Sequence, residues 1–363
     1  MFEQGKLLNT SNKIINLSLG EPSANLPKEL LKKISEKIVN CKMEYTESLG
    51  FLKLRKLLCK HYKKNYNLDL QVNNVAVTSG ASAAILMALM VLFNEGEFIA
   101  TTQPGYPCYD NIIKSLNLKS YKVKTKYEEN FQLHYKDVER LPKKIKGLII
   151  SSPSNPTGTV ISNENLKKIA EICKARKIII ISDEIYHGIS YSKENNQSIF
   201  KYNKNSVVIN SFSKYFLMTG WRLGWLIADK KIVEAISKLA MNLYLCPPSI
   251  SQYTAMGVFQ YYSYFDKIIE DYKINRNLVL KELNSLGFEK FTIPYGAFYS
   301  YVDVSKLTKD SYKFCQTMLR DIQVTTAPGI DFDNRYGHLY IRISFAGKKK
   351  DVFKAFERIR NWI

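Results

Sequence analysis

NSFSKYFLMTGWRLGWLIAD, Asn210 to Asp229, holds one lysine, Lys214, behind two hydroxyls, Ser211 and Ser213. Arg222 follows eight residues later, with Gly220 and Gly224 on either side of it. The residues just before, Val207 to Asn210, are a short β-branched run that predicts a strand. Lys214 therefore falls just past a strand end, where irregular backbone and reactive groups gather. An amine there attacks a carbonyl and forms a Schiff base if its surroundings lower its pKa. An arginine, two hydroxyls and open backbone amides hold a phosphate. Taken alone, Lys214 is one of 53 Lys and Arg residues, most of them solvated. The segment needs support from the rest of the chain.

Outward from Lys214, strands and helices alternate. VAVTSG (Val75 to Gly80), Glu97 to Thr101, Gly147 to Ser151 and Lys177 to Ile181 each predict a strand. Ala81 to Phe93 is apolar almost all round and predicts a buried helix. Ser162 predicts the N-cap of another, with Leu166, Ile169, Ala170 and Cys173 on one face. This alternation from Val75 to Asp229 predicts an α/β fold with a mainly parallel, doubly covered sheet. Sites in such sheets lie at the carboxyl ends of the strands. Gly80, Tyr106, Asn155, Asp183 and Lys214 each fall just past a predicted strand and so share one rim. From Cys246 the pattern changes. Pro247 and Pro248 break the chain, and a long helical stretch runs through Asp271 to Leu286, with Gly287 at its C′ position. PYGAFYSYVDV predicts a strand, Ser311 to Asp321 a helix, and His338 to Ala346 a strand. Pro27 to Val39 predicts a helix with Leu30, Leu31, Ile34 and Ile38 on one face. The expected division is a large domain, 41–245, and a smaller α/β domain, 1–40 with 246–363.

Several rim residues have two readings each. Ser-Gly-Ala-Ser between a strand and a helix puts free N–H groups at a positive dipole end, which suits a phosphate. It is equally a tight turn capped by Ser82. In PGYPCY two prolines fix where Tyr106 points, either over a flat ring or onto the core. Asn155 sits in SNPTG, which turn chemistry alone explains. Asp183, at the end of an apolar strand, is costly unless paired. It is satisfied by a protonated pyridine nitrogen, and also by a helix cap. A lysine for an aldehyde beside an anion site is what pyridoxal 5′-phosphate requires.

SFSKYFLMTGWRLGW resembles the lysine segment of the class I/II pyridoxal-phosphate-dependent aminotransferases, of fold type I and aspartate-aminotransferase-like. LGEP, YTESLGFLKLR, VTSGAS, PGYPCY, SNPTG, DEIY and RIS match further family segments, in family order, from Leu19 to Phe345. The resemblance implies that Lys214 carries the cofactor and moves the substrate's α-proton. It implies that Asp183 pairs with the ring nitrogen, Tyr186 and Asn155 meet the ring oxygen, and Tyr106 covers the ring face. It places the phosphate against Gly80, Ala81, Ser82, Ser211, Ser213 and Arg222. It gives the substrate carboxylate to Arg342 through a two-pronged contact, with Asn155 and a backbone amide near Gly20. Tyr45 would reach the phosphate of the other subunit, which implies a homodimer with composite sites. The implied activity moves an amino group from an L-amino acid to a 2-oxo acid. A pyridoxal-phosphate lyase cleaving a β carbon–sulfur bond stays open, since one such site serves several outcomes. A non-catalytic regulator on the same fold fits less well, because only about 20 residues precede LGEP.

Composition narrows the remaining classes. The chain has 363 residues, 45% of them apolar, enough for one large core and room for two. Its net charge is +20. The lysines of 28–37, 53–64 and 119–126 are scattered among apolar residues, so a lysine-rich surface is expected rather than a nucleic-acid or membrane partner. Six cysteines (Cys41, Cys59, Cys108, Cys173, Cys246, Cys315) lack metal spacing and predict mostly buried free thiols. MFEQGKLLNTSNK has no apolar signal core, and no stretch approaches the ~18 apolar residues of a membrane span. A soluble, cytoplasmic setting is expected. The histidines show no metal spacing, and nothing in the sequence marks the substrate's side chain.

Overall fold

A computed structural model of the chain describes residues 14–192 and 197–363. The N-terminal stretch expected to lack a signal core thus lies outside the described residues up to Lys13. The strands are β1 (Ile15–Asn16), β2 (Val75–Thr78), β3 (Phe98–Gln103), β4 (Lys119–Lys124), β5 (Ile145–Ser151), β6 (Ile179–Asp183), β7 (Val207–Ser211), β8 (Gly224–Ile227), β9 (Tyr299–Asp303), β10 (Val324–Thr325), β11 (Ala327–Pro328) and β12 (Tyr340–Ser344). The α-helices, in chain order, are α1 (Lys28–Asn40), α2 (Leu52–Tyr66), α3 (Ala81–Leu92), α4 (Pro107–Ser115), α5 (Tyr135–Glu139), α6 (Asn163–Ala175), α7 (Lys230–Leu243), α8 (Ser249–Val258), α9 (Tyr262–Ser285), α10 (Ser311–Ile322) and α11 (Lys349–Arg360).

Seven strands form the main sheet in the order β2-β8-β7-β6-β5-β3-β4. β3 to β7 pair in parallel, and β8 runs antiparallel to both β2 and β7. The inner strands β5, β6 and β7 are buried along nearly their whole length. That is why they read as continuous apolar runs rather than alternating ones. Gly147 lets β5 pass under Phe93, whose ring carbon would lie 2.5 Å from an added Cβ. Ser162 caps α6 by accepting from Asn165 N at 3.3 Å. The four apolar residues expected on its inner face are all buried.

A three-stranded sheet, β11-β12-β9, is wholly antiparallel. β1 pairs with β10, joining the N-terminal segment to the C-terminal part of the chain. Gly287 follows α9 with φ +77°, the left-handed C′ conformation that glycine adopts freely.

Three expectations are corrected. On α1 only Leu30 and Ile34 are buried, while Leu31 is at the surface and Ile38 is 51% exposed. Leu30 nests against Gly257 of α8, where an added Cβ would sit 2.4 Å from it. The last turn of α1 carries Ile38 and Val39 into the open. All six cysteines are free thiols, but only Cys173 and Cys315 are buried. Cys59 lies one step around α2 from buried Leu58 and is only half-buried, at the edge of the same core. Ser82 makes no cap: Gly80 is the N-cap of α3, without a side-chain bond. Among the described residues no helix is long and apolar enough to cross a membrane. No group of three or more His, Cys, Asp or Glu there is placed to hold a metal.

Candidate active site

At the carboxyl ends of the main-sheet strands lies a cavity of about 410 Å³. It is lined by Gly20, Ala81, Ser82, Tyr106, Asn155, Asp183, Tyr186, Ser211, Ser213, Lys214, Arg222 and Arg342. Those residues come from five strand ends, the N-terminal segment and β12. Two residues singled out in the sequence do not line it. Gly80 stands directly behind Ala81 and Arg222. Tyr45 is 82% exposed and lines a separate opening with Ser79, Tyr244 and Cys246.

Lys214 follows the end of β7, and its Nζ donates to the Gly20 carbonyl at 2.7 Å. Burial lowers its pKa to about 8, and the nearby Arg342 and Arg222 guanidiniums push the same way. A usable fraction of the amine is therefore neutral near pH 8. Asp183, the last residue of β6, is 2% exposed. Burial pushes its carboxyl up to about 6, against the pull of its donors and of Lys214. Tyr109 Oη donates to its Oδ2 at 2.5 Å, and Ile185 N to its Oδ1 at 3.2 Å.

One corner of the cavity is built for an anion. Gly80 has φ +86°, and a Cβ there would lie 2.8 Å from Arg222 Nη2. Arg222 is itself held at φ +51°. That conformation costs a non-glycine residue about 1 kcal/mol and tends to mark functional positions. Gly224 presses β8 against the start of α3, since a Cβ there would lie 2.8 Å from Ala81 N. Ser211 Oγ accepts from Ser213 N at 3.1 Å and bonds Ser213 Oγ at 2.9 Å. The N-terminal amides of α3, two hydroxyls and a guanidinium thus share one corner.

Opposite stands Arg342, buried on β12. Its Nη1 donates to Asn155 Oδ1 at 2.7 Å and its Nη2 to the Ser18 carbonyl at 2.5 Å. The guanidinium lies 4.3 Å from the Tyr299 ring centre and 4.7 Å from that of Phe332. Its Nε is buried without a partner among the described residues. An orphaned donor on a buried cation is an incomplete anion site. Tyr186 Oη bonds Tyr299 Oη at 2.9 Å, and its ring centre lies 5.9 Å from Lys214 Nζ. Tyr106 lies at the N-cap of α4, edge-on to Tyr109 with ring centres 5.6 Å apart.

Sequence reasoning missed Tyr109 as a site residue and marked Tyr299 only as part of a strand. Tyr109 had a signal: Pro107 begins a helix, so Tyr106 and Tyr109 fall three apart on one face. Glu21 and Thr219, bonded at 2.7 Å, also line the cavity and gave no signal of their own. The arrangement offers a near-neutral amine, a buried carboxyl, a phenol, an anion corner and a second cation. Together these suit a phosphorylated aldehyde and the carboxylate of an amino acid.

The family model described as aminotransferase class I and II matches residues 12–359. A valine–pyruvate aminotransferase from Mycobacterium tuberculosis is 37% identical over 357 residues, covering 98% of this chain and 92% of that one. A crystal structure of an aminotransferase from the same organism superposes with a TM-score of 0.96 at 36% identity, covering 99% of this chain and 94% of that one. The aspartate aminotransferase of Thermus thermophilus, solved with maleate, gives 0.94 at 25% identity, covering 100% and 95%.

Proposed function

The chain belongs to the class I and II aminotransferases, and from that premise we propose how its own residues divide the work. It is a fold type I, pyridoxal 5′-phosphate-dependent enzyme that transfers an amino group between an amino acid and a 2-oxo acid. The cofactor supplies an aldehyde that condenses with amines and a ring that takes up electrons from the substrate α-carbon.

Lys214 is the amine that carries the cofactor. Once displaced by substrate, its Nζ would take the substrate's α-proton and deliver it to the carbon that carried the cofactor's aldehyde, acting as base and then acid. Its lowered pKa supports that double use. Asp183 holds a proton on the ring nitrogen, and Tyr186 donates to the ring oxygen beside Asn155. Tyr106 covers the ring face. Ala81, Ser82, Ser211, Ser213 and Arg222 hold the phosphate, with Gly80 leaving room for the Arg222 guanidinium. Arg342 grips the α-carboxylate, which supplies the acceptor its orphaned Nε lacks. Gly20 closes the mouth, and its carbonyl accepts from Lys214 Nζ when that amine is free.

The observation that carries this reading is the setting of Lys214 Nζ: half-buried near two arginines, with its pKa lowered to about 8 in a cavity that also holds Asp183. Borohydride reduction of the cofactor-loaded enzyme, followed by peptide mass mapping, should place the pyridoxyl group on Lys214. Label on any other lysine would overturn it. Lys214→Ala should lose the visible coenzyme band and at least the 10²–10⁴-fold that a positioned base contributes.

For the amino donor we take neutral amino acids such as valine. The name of the Mycobacterium tuberculosis relative supports this, as do Leu19, Ile85 and Ile185 in the cavity wall. A donor panel in which aspartate outpaces valine would reverse it. We also assign a homodimer completed by Tyr45. Its exposure supports this, as do exposed Met241, Leu243 and Leu245, near in sequence to Tyr244 and Cys246 of the same opening. Sedimentation as a monomer at micromolar concentration would exclude it. The division into 41–245 and 1–40 with 246–363 is supported by the separate sheets and the β1–β10 pairing. A cytoplasmic setting is supported by the six free thiols.

A further inference from the structure

Tyr299 is 1% exposed, so its ring is core, and a phenylalanine would fill the same apolar slot. Its hydroxyl asks for a separate explanation. In the β9–β12 ladder Tyr301 faces Arg342 and Tyr299 faces Ser344. Tyr299 therefore stands diagonal to Arg342 on the same face, which brings the guanidinium 4.3 Å from its ring centre. From there the hydroxyl reaches two places. It bonds Tyr186 Oη at 2.9 Å. It also occupies the space beside Gly20, where a Cβ would come within 1.9 Å of it. Glycine at that position makes room for this oxygen.

Two phenols joined by one hydrogen bond carry two protons, of which the bond uses one. Burial makes both phenols hold their protons more tightly, and the Arg342 guanidinium over the Tyr299 ring offsets part of that for Tyr299, so Tyr299 is the better donor of the two. Tyr186 then accepts from Tyr299, and its own proton is left to point into the cavity. Chained hydrogen bonds strengthen one another, so a donor behind Tyr186 makes Tyr186 a stronger donor in front.

We propose that Tyr299 is a positioning residue that orients the Tyr186 hydroxyl proton into the cavity and ties its donor strength to whether the Arg342 charge is offset by a bound carboxylate. The proposal rests on the roles given above to Tyr186 and Arg342. A carboxylate bound at Arg342 offsets the charge beside Tyr299, weakens its donation and so weakens that of Tyr186. Substrate binding at one end of the site is thereby felt at the ring oxygen, through two side chains.

The test is a double-mutant cycle on the cofactor-loaded enzyme: wild type, Tyr299→Phe, Tyr186→Phe and the double variant. The readout is the pH midpoint of the visible coenzyme band, without and with a carboxylate that has no amine to condense, such as 3-methylbutanoate. A donor to the ring oxygen favours its anionic form. Tyr299→Phe should therefore raise the midpoint by about 0.3–1 unit, the size of one lost neutral hydrogen bond. It should also shrink the shift that the carboxylate produces. In the Tyr186→Phe background Tyr299→Phe should add nothing. An unmoved midpoint in Tyr299→Phe, with Tyr186→Phe shifted, overturns this proposal alone. An equal shift in both backgrounds overturns it too, because the hydroxyl then acts by another path. An unmoved midpoint in Tyr186→Phe overturns the role of Tyr186, and this proposal with it.

Discussion

Asp183 and Glu184 are adjacent and almost equally buried, at 2% and 1% exposure, yet their surroundings differ completely. Asp183 faces the cavity, with Tyr109 Oη and Ile185 N as donors and Lys214 as a nearby cation. Glu184 looks away from it. Its Oε1 accepts from Ser182 Oγ, Ser198 Oγ and Ile199 N, and its Oε2 lies 3.4 Å from His187 Nδ1. Burial raises the carboxyl of Asp183 to about 6 and that of Glu184 to about 8. It lowers His187 to about 4. Lys214 pulls Asp183 down, whereas the negative Asp183 pushes Glu184 up. At pH 7 Asp183 is a carboxylate. Burial favours the neutral acid at Glu184, whose Oε2 and the facing His187 Nδ1 lack other partners among the described residues. Equal burial does not assign equal roles; the nearest charge does.

The contrast breaks most easily at turnover. Asp183→Asn should lower kcat/KM by on the order of 10²-fold or more, as for loss of a preorganised charge in a dry site. Glu184→Gln, which copies a neutral acid, should stay within about threefold of wild type in the same steady-state assay, since a neutral acid there takes no part in the charge balance. Equal losses would erase the distinction. Tyr109→Phe sharpens it on the cavity side. Asp183 would keep only the Ile185 amide, and a hydrogen bond to a buried charge is worth about 1.5–3 kcal/mol. Cofactor half-saturation should rise about 10–100-fold. The loss should deepen from pH 8 to 6, as the carboxyl protonates more readily. Fluorescence titration at several pH values measures both.

The smallest effect is on stability. Glu184 binds its proton up to about pH 8 when folded but releases it near 4.5 when unfolded. Its contribution is therefore lost as pH rises between those values. His61 and His187, lowered to about 3 and 4, contribute the opposite slope below 6.5. Asp183 contributes the same sign as Glu184 only up to about 6. Between pH 6.5 and 7.5 Glu184 acts without these, and Lys214, lowered to about 8, adds the opposite slope only above that. Unfolding free energy there should fall by up to about 1.4 kcal/mol per unit in wild type and stay flat in Glu184→Gln. Urea titrations across that window decide; a rising wild-type curve would mean that Glu184 is ionised.

The rim was legible because each of its residues is tied to a strand end by local spacing. Asn155 and Lys214 need only their own loops to be placed, and the cavity takes in nearly every residue so marked. What was not legible depends on distant pairing. Tyr299 reaches the site through its register with β12, and β8 turns antiparallel because it closes between β2 and β7. No local pattern encodes either. The stripe on α1 was read as four residues wide because periodicity states which residues share a face, not how far the neighbouring helix extends. Cys59 and Cys108 failed likewise, as one step along a helix turns a side chain by roughly 100°.

The pairing of Ile15 and Asn16 with Val324 and Thr325 carries a consequence for synthesis. Ser18, whose carbonyl holds Arg342, leaves the ribosome more than three hundred residues before its partner. The main sheet can close on its own contacts once β8 has emerged. The grip on substrate has to wait until nearly the whole polypeptide is made, so a truncated nascent chain is barred from its chemistry.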